Sequence, residues 1–216
     1  MNRTSLITCV SLAAIALAAP AASAAEFKPY VSVFGGVSLL NDLHITNFNN
    51  KQYTWNFNGG YNLGGAVGVK WNDLLRTELE LSHSVWSANH WTHTGDGGYA
   101  GAASGNLQAT YLLGNVWFDV ATNSMVTPYI GGGLGVGWAN ANVTPGKGYQ
   151  LLGGNSGFAF QLGAGLKFAV SESVDIDLGY RFKDITNITF SDQYGNPWSP
   201  TNLVSHNFQL GVTLKF

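Results

Sequence analysis

The stretch Leu75-Arg76-Thr77-Glu78-Leu79-Glu80-Leu81-Ser82 changes character at every step. Leu75, Thr77, Leu79 and Leu81 form one series, and Arg76, Glu78, Glu80 and Ser82 form the other. A period of two is that of a β-strand, whose successive side chains point to opposite faces. One face here is apolar and the other ionic. The strand, read as residues 74–86, follows Asn72-Asp73, a tight-turn signal.

The same alternation recurs on either side. Residues 28–39 set Val31, Val33, Val37 and Leu39 against Ser32, Gly36 and Ser38. Residues 53–71 set Tyr61, Leu63, Val67, Val69 and Trp71 against Asn62, Gly64, Ala66, Gly68 and Lys70. Residues 104–118 place Leu107, Ala109, Tyr111 and Leu113 opposite Asn106, Gln108, Thr110 and Gly114. That strand ends on Val116-Trp117-Phe118, apolar on both faces, which leaves its register open. Further strands are predicted over residues 127–139, 156–170, 173–184 and 203–216, making eight. Short links fall near 72–73, 119–126 and 171–172; long ones fall near 40–52, 87–103, 140–155 and 184–202. Long and short links alternate, as the outer loops and periplasmic turns of membrane barrels do.

Composition narrows the class. Charged residues are 10% of the chain, against about 25% in soluble proteins, while glycine reaches 28 residues and aromatics 13%. The formal charge of −2 offers no footprint for a nucleic acid. No apolar run after residue 24 approaches the ~20 residues of a membrane helix. Arg3, the apolar run from Leu6 to Ala18 and the small residues Ala22-Ser23-Ala24 read as a secretory signal peptide over residues 1–24. The domain is then 25–216, without Cys9 and so without disulfide or thiol chemistry.

An eight-stranded barrel with an apolar interior, like a lipocalin, would show the same alternation. The membrane version is preferred because the polar face is mostly Gly, Ser, Asn, Gln and Ala, too bland for contact with water. Aromatics also cluster at strand ends: Trp71, Trp117, Phe118, Tyr129 and Phe168 near the short turns, and Tyr53, Trp55, Trp86, Trp138 and Phe190 near the long loops. The expected fold is an all-β, eight-stranded antiparallel up-and-down transmembrane β-barrel. Arg76, Glu78, Glu80, Asp175, Asp177, Arg181 and Lys183 then face the lumen. Each cation would cost about 2–4 kcal/mol on the lipid side at mid-membrane. They are expected to pair across the bore as a polar plug.

The stretches Tyr30-Val31-Ser32-Val33-Phe34-Gly35-Gly36, Thr127-Pro128-Tyr129-Ile130-Gly131-Gly132-Gly133-Leu134-Gly135, Asp177-Leu178-Gly179-Tyr180-Arg181-Phe182-Lys183-Asp184 and Ser205-His206-Asn207-Phe208-Gln209-Leu210-Gly211-Val212-Thr213-Leu214-Lys215-Phe216 carry a family likeness. The chain resembles small outer-membrane β-barrel proteins of the opacity-protein and OmpA-like type, especially surface antigens of alphaproteobacteria. The resemblance implies a bacterial outer-membrane location. It also implies recognition of the last strand (Phe208, Leu210, Val212, Leu214 and Phe216) by the barrel-assembly machinery. Unlike the peptidoglycan-linked members, the chain is expected to lack a periplasmic cell-wall-binding domain.

Catalytic and metal sites are weakly indicated. Ser82-His83 and Ser205-His206 could suggest a lipid A-modifying enzyme, but strand neighbours point to opposite faces. His90 and His93, read in a long loop, offer two metal ligands and no third. The Gly131–Gly137 run lacks the Lys-Ser/Thr of a phosphate loop. No catalytic residue, metal or cofactor is expected. The leading function is structural, with envelope integrity or recognition through loops that carry Trp91, Tyr99, Tyr149, Tyr194 and Trp198. The alternative is a narrow porin-like channel for small polar solutes. Expected partners are outer-membrane lipids and lipopolysaccharide, the assembly machinery and an extracellular ligand of the loops.

Overall fold

The computed structural model describes residues 27–94, 99–122 and 124–216, so the predicted signal peptide and Cys9 lie outside the described residues. The strands are β1 (Lys28–Leu40), β2 (Leu43–Thr46), β3 (Gln52–Phe57), β4 (Gly60–Lys70), β5 (Leu75–Thr94), β6 (Tyr99–Asp119), β7 (Val126–Pro145), β8 (Leu151–Gly153), β9 (Ser156–Ala169), β10 (Val174–Ile188) and β11 (Thr201–Lys215). Eight of them close a ring in the order β1-β4-β5-β6-β7-β9-β10-β11, every pair antiparallel. Closure leaves no open edge in this ring, which is the condition for a sheet to sit in lipid.

The pairing register sets the barrel's shape. Followed from Leu39 through His206, Phe182, Leu162, Gly132, Val116, Thr77 and Val69, the path returns to β1 at Pro29, ten residues before its start. That stagger tilts the strands by roughly 40°. Ten residues of tilted strand rise about 25 Å, the height of an outer-membrane apolar band. Val33, Leu63, Leu79, Leu134, Leu162, Leu178 and Leu210 lie exposed around its outside.

Above this belt the wall continues. β5, β6 and β7 are 20, 21 and 20 residues long, about twice what a crossing requires. Here β3 takes the place of β4 beside β5, β2 pairs with β3, and β8 pairs with β7. Segment 189–200 fills the remaining gap. Ser191 bridges Leu152, and the Ser199 N–H donates to the Thr46 carbonyl at 2.8 Å. The result is a second, extramembrane storey with an apolar core that includes Leu43, Tyr53, Trp55, Trp86, Trp91, Leu107, Leu151, Ile188, Phe190 and Trp198.

Polarity therefore inverts along the wall. In the belt the outside is apolar and the inside polar; in the upper storey the reverse holds. This corrects the reading of β6. Leu107, Ala109, Tyr111 and Leu113 are fully buried inside, while Leu112, Val116 and Phe118 are exposed outside. It also corrects the aromatic girdles. Tyr53, Trp55, Trp86 and Phe190 belong to the upper core, and Trp117 and Tyr129 point into the lumen; Trp71, Phe118 and Trp138 face outward. The predicted strand 53–71 breaks at Asn58-Gly59 into β3 and β4.

Residues 25–216 contain no cysteine, so single-cysteine probes test the corrected register cleanly. In vesicles, a membrane-dissolved maleimide should label Leu112→Cys readily and Leu113→Cys only after unfolding. Equal labelling would reject the assignment.

Candidate functional site

The lumen of the belt is built from the inward faces of β1, β4–β7 and β9–β11. Glycine makes room for its large side chains at two close approaches. A Cβ on Gly133 would lie 1.9 Å from Asn115 Oδ1, and one on Gly165 would lie 2.4 Å from the Tyr129 hydroxyl.

The seven predicted charges divide into two layers and a remainder. In the lower layer, Arg76 Nε donates to both Asp119 oxygens at 2.9 and 3.0 Å, and its Nη1 donates to Glu78 at 3.1 Å. Tyr30 and Trp117 also donate to Glu78, at 2.8 and 2.7 Å, and Lys167 Nζ reaches Asp119 at 2.6 Å. The Tyr129 hydroxyl donates to Asp177 at 2.9 Å and accepts from Arg181 at 2.8 Å. The Arg181 guanidinium also sits 4.2 Å from the centre of the Trp117 ring, a cation–π distance.

The upper layer centres on Lys183. Its ammonium donates to Glu80 at 2.5 Å and to Ser82 at 2.7 Å. Glu80 also accepts from Ser82, Asn115 and Gln161 at 2.8, 3.0 and 2.7 Å. Above it, Ser38 donates to Asn207 at 2.7 Å and accepts the Trp86 indole N–H at 3.0 Å. From there the apolar core begins. Asp175 stands apart, paired with Lys215 at 2.6 Å beside the mouth at the short-turn end.

Three spaces flank these layers. A vestibule of about 720 Å³ opens at the end that carries the short turns and is bounded by Arg76, Asp119, Lys167 and Asp175. On its rim, the hydrogen bond from Lys70 and the charge of that ammonium hold the Asp73 carboxyl below its ordinary range. Deeper lies a cavity of about 30 Å³ among Glu78, Glu80, Asp177 and Arg181, room for a single water. A third hollow, about 300 Å³, lies on the barrel's outside against His83, Thr110 and Trp138.

Asn115, Trp117, Asp119, Tyr129, Gln161, Lys167 and Tyr30 join the predicted charges, although sequence reasoning left them out of the network. The signal for three of them was present. Asp119, Trp117 and Asn115 recur at period two, and placing Asp119 in the lumen would have turned that face of β6 inward.

The other candidate residues separate. Ser82 and Ser205 are buried inside, whereas the adjacent His83 and His206 face outward, hydrogen-bonded to Thr110 and Tyr180 at 2.9 and 2.8 Å. His90 and His93 lie on β5 rather than in a loop; His90 is exposed, and His93 is buried against Tyr53. Among the described residues, no three His, Cys, Asp or Glu side chains gather as a metal site. Trp91 and Trp198, expected on exposed loops, are core residues, while Tyr194 is exposed. The outward residues Phe208, Leu210, Val212, Leu214 and Phe216 lie along the last strand and its end, and the Phe216 N–H donates to the Pro29 carbonyl at 3.0 Å.

Residues 9–216 match the outer membrane protein beta-barrel domain family. An outer membrane protein of Gluconacetobacter diazotrophicus is 27% identical over 99% of this chain and 64% of its own length. The outer membrane protein PagN of Salmonella typhimurium is 29% identical over 50% of this chain and 49% of its own. The chain thus spans about half to two thirds of the length of these curated relatives. Among solved structures, OprG from Pseudomonas aeruginosa superposes with a TM-score of 0.57 at 14% identity, over 88% of this chain and 95% of that one. Neisserial surface protein A gives 0.54 at 19% identity, over 87% and 97%.

Proposed function

The chain belongs to the outer membrane protein beta-barrel domain family and resides in the bacterial outer membrane, and from that premise we propose that it is a closed surface scaffold, carrying a rigid extramembrane storey and conducting no solute. The observation behind this reading is an interior blocked by side chains at every level above the vestibule. The vestibule ends at the Arg76–Asp119 and Arg76–Glu78 pairs; the Lys183–Glu80 layer follows, and the apolar core from Tyr111 to Trp198 closes the rest. Eight strands enclose a bore that side chains suffice to occupy.

The scaffold would act through its top. Phe48 and Tyr149 meet edge to face at 5.5 Å, and the Gln150 N–H donates to Gln193 at 2.8 Å beside the exposed Tyr194. Segments from three connections are thereby held in one surface, which supports envelope integrity or loop-mediated recognition over transport. Catalysis is not part of the proposal, because Ser82 and Ser205 are enclosed in the lumen away from the histidines beside them. β11, with Phe208, Leu210, Val212 and Leu214 on its outward face, would serve as the segment recognised by the assembly machinery.

Planar-bilayer recording of the refolded mature chain should be silent at neutral pH. Replacing Glu78→Gln and Glu80→Gln together should either produce brief conductance steps or lower the unfolding midpoint in urea. Steady conductance by the unaltered protein would reject the scaffold reading in favour of the narrow channel.

A further inference from the structure

The outer rim of the belt is uneven. On β1 and β4 it carries the exposed apolar residues Leu39 and Tyr61. Across β5, β6 and β7 it turns polar at His83, Thr110, Gln108 and Asn140, which are joined by register: His83 pairs with Thr110, and Gln108 with Asn140. The external hollow of about 300 Å³ lies here, with Trp138 and Asn155 also on its walls.

Above the hollow, the outside of the upper storey rises as a wall of amides and hydroxyls. Asn106 pairs with Asn142, and Ser104 with Thr144. Residues 83–94, 99–110 and 138–145 contain no Asp, Glu, Lys or Arg. Asn140 and Asn142 are exposed, and their side chains make no hydrogen bond to any described residue. A wall facing only water would ordinarily carry mixed charge for solubility. An amide offers a donor pair and an acceptor together, the complement of a sugar hydroxyl. A charge on the wall would lose hydration against a neutral polyol without gaining a partner.

The wall's position names its neighbour. It stands directly on the outer end of the apolar belt and faces sideways, along the membrane surface. We infer that the outside of β5–β7 is a docking surface for the saccharide of an outer-leaflet glycolipid. The charged groups of the headgroup stay in water, and its uncharged sugars run up the wall past Asn140 and Asn142, with His83 and Trp138 at the foot. Trp138 suits the foot of such a site, since an indole presents an apolar body and one N–H at the boundary between acyl chain and headgroup. This inference needs only the membrane location and stands whether or not the barrel conducts.

The test uses the mature chain refolded in detergent micelles, with lipid retention read by native mass spectrometry. The probes are lipopolysaccharide with its core saccharide, lipid A alone and phosphatidylethanolamine. Core-bearing lipopolysaccharide should be retained at least ten-fold better than the other two. The combined variant Gln108→Leu, Asn140→Leu, Asn142→Leu should lose at least five-fold of that retention while keeping its heat-modifiable gel migration. Equal retention of all three lipids, or no loss in the variant, would overturn the assignment. If the variant fails to fold, a photoreactive residue at position 142 of the otherwise native chain decides the matter. An adduct with lipopolysaccharide supports the site; an adduct with a second copy of the chain, or none, overturns it.

Discussion

Replacing Lys183 by methionine should destabilise the refolded barrel by about 3–5 kcal/mol, the cost of leaving a buried charge without its partner. The stranded group is Glu80, buried in the lumen with its carboxylate reaching the Lys183 ammonium, Ser82, Asn115 and Gln161. Asn115 and Gln161 remain in the variant, but neither brings a positive charge. Adding Glu80→Gln to Lys183→Met should recover part of the loss, because the neutral pair no longer holds an unbalanced ion. Urea unfolding of the single and double variants, followed by gel migration and circular dichroism, measures both effects. A double variant as unstable as the sum of the two singles would show that the pair contributes nothing as a pair.

Replacing Trp198 by alanine should cost about 3–5 kcal/mol of packing, confined to the upper storey. Trp198 is buried, stands 5.0 Å from Tyr53 and 6.3 Å from Trp55 between ring centroids, and anchors the segment that joins β2 to β8. Loss of that anchor should free 189–200 for cleavage by an external protease on intact cells. The belt, with its separate lumen network, should keep its heat-modifiable migration. Cleavage no faster than in the unaltered chain would mean that the upper core is not held by this residue.

Much of the belt was legible in the sequence because lipid outside and ion pairs inside impose opposite chemistries on alternate residues. β5, β10 and β11 show this plainly, and Arg76, Glu78, Glu80 and Lys183 were placed in the lumen on that basis. The upper storey was not legible, because its inside and outside exchange polarity while the strand runs on unbroken. β6 crosses that boundary between Thr110 and Asn115, so its upper half, Leu107 to Leu113, read as lipid-facing. Trp55 and Trp86 were misplaced for the same reason: an indole at a strand end suits a membrane interface and a buried core equally well. Trp198, read on an exposed loop, is buried because that segment packs onto the upper core. Which of the seven lumen charges meet was also beyond a single sequence. Lys183 and Glu80 are about a hundred residues apart, and only the ten-residue stagger of the ring brings them level.

The seam between β1 and β11 bears on the order of events during biogenesis. It joins Tyr30 to Lys215 and Leu40 to Ser205, nearly the two extremes of the described chain. Pairings of such long separation are slow to form, since the loop they close must be ordered first. Segment 189–200 leads directly into β11, and its Ser199–Thr46 bond spans the same seam, so that part of its docking should follow the pairing of β1 with β11. Maturation would then proceed inward to outward in time: the cylinder zips shut, and the roof locks afterward.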